Sequence, residues 1–348
     1  MSYSFPHLSD LLAFCKQAWF IPAPKWSLEK MPDMTGKVVI VTGGSDGLGK
    51  LSVKALLEKN AKVYLAARNE SKCQAVIDEF ATTTGKTAIF LKIDLADLNS
   101  VKAAAKEFLS KETKLHVLYN NAQVLLLSCG PFTGVLTTNH ELLTAQGYDG
   151  QFGTNVLGHF YLTKLLLPIL LSTAEHTPEK VRIVALSSSA IYSMKYKFDI
   201  ASLTNGPTRK KWPTMELYSQ SKLGNILFAN ELARRYGDKG IVSTAVNPGN
   251  LKTDISRNQK TFSFDRFAVF VLQIHNPEVG VLTQLWAGTS PEGADMNGKF
   301  LVPWCREALP RSGSEDPELS AELWKWMEEQ VEKFEQAAAD KVAEHARS

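Results

Sequence analysis

The chain has 348 residues, of which 44% are hydrophobic and 22% are charged, and this composition excludes a disordered, a collagenous or a disulfide-stapled small protein. Lys and Arg number 39 against 36 Asp and Glu, a formal charge of +3, and no run of five like charges supports a nucleic-acid partner. Four widely spaced cysteines, at positions 15, 73, 129 and 305, predict reduced thiols and no metal site.

The leader, residues 1–36, contains one segment with helical periodicity. Its apolar positions recur at steps of three and four residues: Leu8, Leu11, Leu12, Cys15 and Trp19. Such a stripe favours a helix that packs on its own domain over one that lies on a membrane surface. The segment is too short and too polar to span a bilayer and has no signal-peptide pattern, so we expect a cytoplasmic protein without a transmembrane segment.

From residue 37 onward, short β-branched runs alternate with longer amphipathic segments. Strands are predicted at 37–41, 63–66, 88–93, 115–119, 181–186 and 241–246, with a further short strand near 299–302. A helix follows the first strand, and others are predicted at about 71–83, 98–111, 147–171 and 215–236, after Pro277 and from about 317. This alternation predicts a parallel sheet with helices on both faces, a doubly wound α/β domain over 37–305 followed by a C-terminal helical extension, 306–348. Long loops at 123–145, 190–213 and 250–275 are candidates for a ligand pocket.

A glycine-rich turn joins the first strand to the first helix. Its residues are Thr42-Gly43-Gly44-Ser45-Asp46-Gly47-Leu48-Gly49, with the spacing Gly-x-x-x-Gly-x-Gly. Glycines here allow a tight turn and let a pyrophosphate approach the N–H groups at the helix N-terminus. A purely steric role is the alternative, but the strand before and the helix after favour nucleotide binding.

The ends of the second and third strands add candidate cofactor contacts. Arg68 follows strand two, where an Arg can bind the 2′-phosphate of NADP and an acidic residue would favour NAD. A solvated strand-end Arg is the alternative, and Asp46 nearby would oppose an extra phosphate. Asp94 and Leu95 follow strand three and are positioned for an adenine ring, with a simple helix N-cap as the alternative for Asp94.

Three further segments carry polar side chains that are candidates for the site. Tyr218 and Lys222 lie four residues apart on one predicted helix, a pair that taken alone describes a solvated helix face. A nearby cation favours phenolate and lowers the pKa of a Tyr. Strand five ends in Ser187-Ser188-Ser189, at the carboxyl edge where open α/β folds bind ligands. Asn155 places an amide within the long, apolar helix, where a structural hydrogen bond is the alternative role.

Taken together, these residues resemble the short-chain dehydrogenase/reductase family. The resemblance rests on the glycine-rich turn at 42–49, Asn120-Asn121-Ala122, Asn155, the serine run, Tyr218 with Lys222, and Asn247-Pro248-Gly249, in the family's order over about 37–305. Val63-Tyr64-Leu65-Ala66-Ala67-Arg68 and Asn155-Val156-Leu157-Gly158-His159-Phe160 are similar to the branch with retinol dehydrogenases and the WW-domain oxidoreductase, and the leader and tail look like those of fungal members. The resemblance implies a Rossmann-type domain.

The resemblance also implies the roles of individual residues. Tyr218 would be the general acid and base, Lys222 would lower its pKa and bind the nicotinamide ribose, Ser188 would polarise the substrate oxygen, and Asn155 would complete the set through a water relay. NADP(H), preferred over NAD(H), would contact Gly43, Ser45, Asp46, Gly47, Leu48, Gly49, Arg68, Asp94, Leu95, Asn121, Ala122, Tyr218, Lys222, Pro248, Gly249, Leu251 and Thr253. Substrate contacts are expected from Gln123, Ser188 and Tyr192.

Two features depart from the family pattern. Gln123 replaces the glycine of Asn-Asn-Ala-Gly, so its side chain could crowd the nicotinamide or reach toward the substrate. Ser188 and Tyr218 are thirty residues apart, a longer interval than is usual in the family. The loops that shape the pocket are therefore expected to be unusual.

The sequence predicts an NADP-dependent oxidoreductase that acts on a carbonyl or alcohol carbon of a mostly apolar small molecule. Aliphatic and aromatic residues of the pocket loops motivate the substrate class, although they could equally only pack the loops: Leu125, Leu126, Leu127, Tyr192, Phe262, Phe264 and Phe267. The alternatives are an NADP-binding sensor or scaffold without turnover, and a non-redox epimerase or dehydratase. A homo-oligomer is left open, and no metal is predicted.

Overall fold

Ten strands are present in the computed structural model, which describes residues 8–124, 127–129, 136–138, 142–195, 197–251 and 275–345. In chain order they are β1 (Val38–Thr42), β2 (Lys62–Ala67), β3 (Ile89–Lys92), β4 (Val117–Asn120), β5 (Leu127–Cys129), β6 (Leu136–Thr138), β7 (Val181–Leu186), β8 (Ile241–Val246), β9 (Phe300–Val302) and β10 (Arg306–Glu307). Eight of them form one sheet in the order β10-β9-β8-β7-β4-β1-β2-β3, parallel except for β10. β5 and β6 form a separate antiparallel ribbon.

The helices connect these strands and cover the sheet. They are α1 (Leu8–Ala18), α2 (Gly47–Glu58), α3 (Glu70–Thr84), α4 (Leu98–Lys111), α5 (Gly150–Phe152), α6 (Gly158–His176), α7 (Pro207–Lys210), α8 (Thr214–Tyr236), α9 (Pro277–Thr289) and α10 (Pro317–His345). A π-helical turn, Gly153–Leu157, joins α5 to α6. Short 3₁₀ turns include Ser189–Ser193, directly after β7.

The central strands are buried on both faces, which is why the sheet needs two helical layers. Every residue of β1, β7 and β8 is buried. One face of the sheet packs a core with α4, α6, α8 and α10, and the other packs a core with α2, α3 and α9. The predicted doubly wound α/β fold is confirmed. Because the strand order reverses between β1 and β4, the carboxyl ends of these strands border the crevice where such folds bind ligands.

Two stretches contain structure that the periodicity did not predict. The predicted loop 123–145 includes the β5-β6 ribbon, and the predicted C-terminal extension begins with β10, which completes the main sheet. The segment Gly150–His176 is long enough and apolar enough to cross a membrane. However, 67% of its 18-residue apolar stretch is buried inside the fold. This burial is typical of a core helix.

The leader helix α1 packs on the domain through a different face from the one predicted. Asp10, Gln17 and Ala18 are buried, whereas Leu8, Leu11, Leu12 and Trp19 of the apolar stripe are exposed. The prediction that this stripe packs inward was therefore wrong. The physical reason is that Gln17 finds two buried hydrogen-bond partners, Tyr192 and Asn247, and this orients the opposite face outward.

Candidate active site

The glycine-rich turn forms a cradle between β1 and the N-terminus of α2. Gly43 has a φ of 67°, a left-handed conformation that favours glycine, and a Cβ at Gly49 would lie 2.2 Å from the Gly43 carbonyl oxygen. Asp46 caps α2 by accepting a hydrogen bond from the Gly47 N–H at 2.8 Å. The close packing of Gly43 and Gly49 shows that a side chain at the latter position would require the turn to open.

Thr42 joins this turn to the end of β4. Its buried hydroxyl oxygen accepts hydrogen bonds from the N–H groups of Asn121 and Ala122, both at 2.9 Å. The Asn121 side-chain amide donates in turn to the Thr42 carbonyl at 2.9 Å. These bonds hold two predicted cofactor-binding residues against the glycine-rich turn, at the carboxyl edge of the sheet.

The end of β2 presents positive charge beside the turn. Arg68 is exposed, and Asn69 caps α3 through the Lys72 N–H at 2.9 Å. The Lys72 ammonium forms an ion pair with Asp46 at 2.5 Å. Although burial opposes it, this hydrogen bond keeps the pKa of the Asp46 carboxyl below its usual value. Arg68 is thus an exposed cation close to the turn, while the charge of Asp46 is compensated by Lys72.

After β3, the N-cap of the next helix is Asp97, which accepts from the Asn99 N–H at 2.9 Å. The Asp94 carboxylate instead accepts from the Ala96 N–H at 3.0 Å and is half-buried. The helix N-cap that we considered as the alternative role of Asp94 is therefore excluded. Leu95 is buried against Gly158, where a Cβ would lie 2.4 Å from the Leu95 carbonyl oxygen.

Ser188, Tyr218 and Lys222 meet where β7 ends beside α8. The Ser188 hydroxyl lies near the Tyr218 phenol and acts to lower its pKa, and the Lys222 Nζ lies 5.6 Å from the centre of the Tyr218 ring. Lys222 is fully buried and donates to the Leu186 carbonyl at 3.0 Å. Residues thirty positions apart in sequence are therefore adjacent, as the resemblance implies.

Burial governs the protonation of this pair. It raises the pKa of Tyr218 to about 12, against a smaller lowering by the nearby Ser188 hydroxyl, and it lowers the pKa of Lys222 to about 7. The expected lowering of the Tyr218 pKa by Lys222 is not what the structure shows. The reason is that desolvation disfavours both the phenolate and the ammonium, so both groups are held toward their neutral forms.

Asn155 lies in the middle of the π-helical turn and spans the site. Its side chain accepts from the Val124 N–H at 2.8 Å, and its amide donates to the Val124 carbonyl at 3.1 Å and to the Ser221 hydroxyl at 3.0 Å. Ser221 lies between Tyr218 and Lys222 on α8. Asn155 therefore connects the segment after β4 to the helix that carries Tyr218 and Lys222.

The segment after β8 closes another side of the site. Asn247 accepts from the Gly249 N–H at 3.0 Å, and Gly249 has a φ of 91°. Ser189 donates to Asn250 at 2.8 Å and joins this segment to the serine run. Leu251 is buried and packs against α9 at Gly280. The predictions for Thr253 and for Leu125, Leu126, Leu127, Phe262, Phe264 and Phe267 concern side chains that lie outside the described residues.

The two remaining predicted substrate contacts differ in their surroundings. Gln123 is exposed and lies next to Val124, which Asn155 holds in place. Tyr192 is buried, and its hydroxyl accepts from Gln17 at 2.8 Å and donates to the Leu309 carbonyl at 2.9 Å. Because both hydrogen-bonding directions of the Tyr192 hydroxyl are used, only its ring is left for a substrate contact.

Sequence reasoning missed the buried residue that connects these parts. His159 places Nδ1 2.9 Å from the Asn155 carbonyl and Nε2 2.8 Å from the Thr42 hydroxyl. Burial lowers the pKa of His159 to about 4, so its ring is neutral. A histidine one helical turn after Asn155, on the same face, was the available signal.

The residues present fit a dinucleotide. Because Gly43 and Gly49 have no side chains, a phosphate can approach the backbone at the N-terminus of α2. Arg68 is exposed at the end of β2. The Asn121 Oδ1 is buried without a hydrogen-bond partner among the described residues, at the edge where a ribose or nicotinamide would lie. The arrangement combines a site for a bound coenzyme with a hydroxyl pair for proton transfer.

Comparison with known proteins agrees with this geometry. The model of the short chain dehydrogenase family matches residues 37–263. A short-chain dehydrogenase/reductase of Armillaria gallica is 50% identical over 315 residues, which cover 90% of this chain and 96% of that protein. A short-chain dehydrogenase/reductase of Phomopsis amygdali is 40% identical over 342 residues, 92% of this chain and 97% of that protein.

Solved structures with the same fold include two bound to coenzymes. The RhlG protein of Pseudomonas aeruginosa, in complex with NADP, has a TM-score of 0.60 at 20% identity and covers 81% of this chain and 97% of that chain. The 3-ketoacyl-(acyl-carrier-protein) reductase of Brucella melitensis, in complex with NADH, has a TM-score of 0.58 at 22% identity and covers 77% and 96%. At these identities the likeness shows the fold alone.

Proposed function

The chain belongs to the short-chain dehydrogenase family, and from that premise we propose that it is an NADP-dependent oxidoreductase acting on a carbonyl or alcohol carbon of a mostly apolar small molecule. The observation that carries the proposal is the grouping of Ser188 and Tyr218, with the Lys222 Nζ 5.6 Å from the centre of the tyrosine ring, beside the glycine cradle. A non-catalytic scaffold would not require Ser188, Tyr218 and Lys222 at one edge of the sheet. A glycine-rich turn with a purely steric role would not require them either.

In the proposed reaction the protein orients the substrate and moves a proton. The coenzyme, when bound, supplies or accepts the hydride. Ser188 and Tyr218 both hydrogen-bond the substrate oxygen, and Tyr218 donates its proton to that oxygen during reduction. Because burial raises the pKa of Tyr218 to about 12, the phenol carries its proton at neutral pH. Lys222, with a pKa of about 7, can return a proton to the tyrosine.

The charge at the end of β2 supports the proposed preference for NADP over NAD. Arg68 is exposed and the neighbouring carboxylate of Asp46 is paired with Lys72, so an added phosphate would meet a net positive surface. The coenzymes of the two solved structures differ, one being NADP and the other NADH. The preference is therefore argued from Arg68 and not from those likenesses.

The finer features of the proposal rest on the sequence. The resemblance to the retinol dehydrogenase and WW-domain oxidoreductase branch and the apolar residues of the pocket loops favour an apolar alcohol, aldehyde or ketone as substrate. A cytoplasmic location remains part of the proposal.

The test is turnover of the wild type and of Tyr218→Phe with NADPH or NADP and a panel of apolar ketones, aldehydes and alcohols. The variant should lose at least about a hundredfold in kcat, the range of general acid catalysis, because the proton donor is gone. NADPH binding, measured by fluorescence titration, should change little, and NADH should bind the wild type more weakly. Tyr236→Phe, at the end of the same helix, is the matched control and should keep full activity.

Two results would overturn the proposed reaction class, and a third would overturn only the proposed preference for NADP. Tight NADPH binding without turnover of any substrate would favour a sensor or scaffold. Product formation without net change in NADPH would indicate an epimerase or dehydratase. Equal or tighter binding of NADH would refute the role of Arg68 while leaving the reaction class intact.

A further inference from the structure

The outward face of α1 is the largest concentration of exposed apolar side chains among the described residues. Nine large apolar side chains are exposed in the described part of the chain, and five of them lie between positions 8 and 20: Leu8, Leu11, Leu12, Trp19 and Phe20. Leu8 and Phe20 are 73% and 75% exposed. Single exposed apolar residues are ordinary, but a contiguous group of five on one helix and the turn after it indicates a binding surface.

The helix cannot turn this face inward without breaking buried polar contacts. Gln17 donates to the Tyr192 hydroxyl at 2.8 Å and accepts from the Asn247 amide at 2.9 Å. The Ala18 carbonyl lies 3.1 Å from Nε2 of His275, and Asp10 is buried beside the Ser312 N–H. These contacts fix the orientation of α1, so the exposure of its leucines is a consequence of the fold.

A second segment, which packs beside α1 through Arg306 and Ser312, carries another exposed apolar side chain. The Leu309 carbonyl accepts the hydrogen bond from Tyr192, the same residue that Gln17 contacts, and the Leu309 side chain is 75% exposed. A patch built from two separate segments that share one buried hydrogen-bond network is held in a single arrangement. We call these six residues, Leu8, Leu11, Leu12, Trp19, Phe20 and Leu309, the leader patch.

The charges on the α1 side of the leader patch are positive, whereas near Leu309 the exposed Glu307 is paired with Lys299. Between positions 8 and 25 the exposed charged side chains are Lys16 and Lys25, and the one carboxylate in that range, Asp10, is buried. Arg306 donates to the Lys16 carbonyl at 3.3 Å and adds a third cation. Apolar residues with a basic border are complementary to a lipid surface that contains anionic headgroups.

We propose that the leader patch docks the protein on the surface of an anionic lipid membrane. α1 has 11 residues, about half of what a bilayer-spanning helix needs, so it would lie in the interface. Symmetric pairing with a second copy through this face would place two surfaces that both carry Lys16 and Lys25 against each other, which disfavours that occupant. Gln17 contacts the segments that follow β7 and β8, so docking would place the proposed substrate site close to the lipid.

The docking itself does not depend on the proposed reaction. Its functional benefit rests on the proposed function, because an apolar substrate would partition into the membrane on which the protein docks. The experiment is co-sedimentation of the full chain with vesicles of phosphatidylcholine alone and of phosphatidylcholine mixed with phosphatidylserine. Wild type should bind the mixed vesicles more strongly, and added salt should weaken that binding.

Variants test the two parts of the surface separately. Leu11→Ser with Leu12→Ser should weaken binding to the mixed vesicles at least tenfold. Lys16→Glu with Lys25→Glu should remove the preference for phosphatidylserine. Leu109→Ser, an exposed leucine on α4, is the matched control and should bind like wild type. Each variant should bind NADPH with the wild-type affinity and turn over a soluble substrate at the wild-type rate. These two measurements separate failure of docking from failure of the proposed function.

Results of two kinds would overturn the proposal. The first kind is a vesicle result: equal binding of wild type and the Leu11, Leu12 double variant, or no binding of wild type to either vesicle. The second is a wild-type dimer in analytical ultracentrifugation that the double variant converts to a monomer, because a second copy would then cover the patch.

Discussion

Single residues at the site are controlled by burial more than by their neighbours' charges. Tyr218 and Lys222 share a helix face and lie close together, yet desolvation moves their pKa values in the directions that keep each neutral. Proximity of a lysine to a tyrosine can be read from sequence spacing. The balance between attraction and desolvation depends on how much water the surrounding fold removes, and this is visible only in three dimensions.

His159 is predicted to act as a positioning residue for the proposed reaction. As its neighbours require, Nδ1 carries the proton and donates to the Asn155 carbonyl, while Nε2 accepts from the Thr42 hydroxyl. His159→Phe would remove the two imidazole nitrogens and leave the Asn155 carbonyl and the Thr42 hydroxyl buried without these hydrogen bonds. This loss should lower the free energy of unfolding by about 1–3 kcal/mol. It should also lower kcat about tenfold with little change in the KM of the substrate, because Asn155 holds the segment after β4 against α8.

The matched control for His159 is His176→Phe, an exposed position on the same helix, which should alter neither quantity measurably. Urea unfolding and steady-state kinetics measure the two effects independently. A loss of stability with an unchanged kcat would show that His159 only supports the core and has no positioning role.

At the scale of elements, a buried ion pair holds the long connections together around the site. Arg209 of α7 forms a 2.7 Å ion pair with Asp149, and both side chains are about 2% exposed. Arg209 also donates to the Leu142 carbonyl at 3.0 Å, and Asp149 caps α5 by accepting from the Gln151 and Phe152 N–H groups. The start of the helix that carries Asn155 therefore depends on a residue sixty positions later.

Arg209→Met is expected to destabilise the protein by about 3–5 kcal/mol, because it leaves the Asp149 carboxylate buried without its cation. Lys210→Met, at the exposed neighbouring position, should change stability by less than about 0.5 kcal/mol. Urea unfolding of the two variants gives the comparison. Equal stability of both variants would mean that Asp149 is satisfied by the helix cap alone.

At the scale of the whole molecule, two buried histidines on different layers predict how stability depends on pH. Burial lowers the pKa of His159 and of His116 to about 4. At His116, the positive charges of Lys37 and Lys114 lower the pKa further. The His116 Nδ1 accepts from the Val38 N–H at 3.0 Å, which requires an unprotonated nitrogen.

A folded-state pKa below the unfolded value of about 6.5 means that the unfolded chain binds protons first as the pH falls. Stability should therefore be constant for these groups above about pH 7 and decrease between about 6.5 and 4. The expected loss at pH 4.5 is about 2–3 kcal/mol for each histidine, measured by urea unfolding against pH 7.5. His116→Gln should remove about half of the pH dependence, whereas an unchanged profile would refute the assignment.

The accuracy of the sequence-based prediction depended on whether the signal was local. The observed bounds of α4, β7 and β8 match the predicted 98–111, 181–186 and 241–246, because periodicity and β-branched runs are properties of neighbouring residues. The β5-β6 ribbon, β10 and the π-helical turn were not predicted, since each depends on pairing or packing with distant segments. The candidate residues Gly43, Arg68, Asn121, Ser188 and Gly249 each follow a strand that the sequence predicts. Because the carboxyl ends of parallel strands lie at one edge of a sheet, their place at that edge followed from the predicted strands.

The amino-acid sequence by itself determined the doubly wound fold and the set of chemical groups at the site, because alternating periodicity and a glycine turn act over short stretches of chain. Only the tertiary structure decided which face of α1 is buried and which protonation states Tyr218 and Lys222 hold. Both depend on the same quantity, the exclusion of water by groups far apart in the chain. Gln17 donates one buried hydrogen bond to Tyr192 and accepts another from Asn247, and these bonds leave an apolar stripe facing outward. The burial of α8 likewise reverses the pKa shift expected for Tyr218.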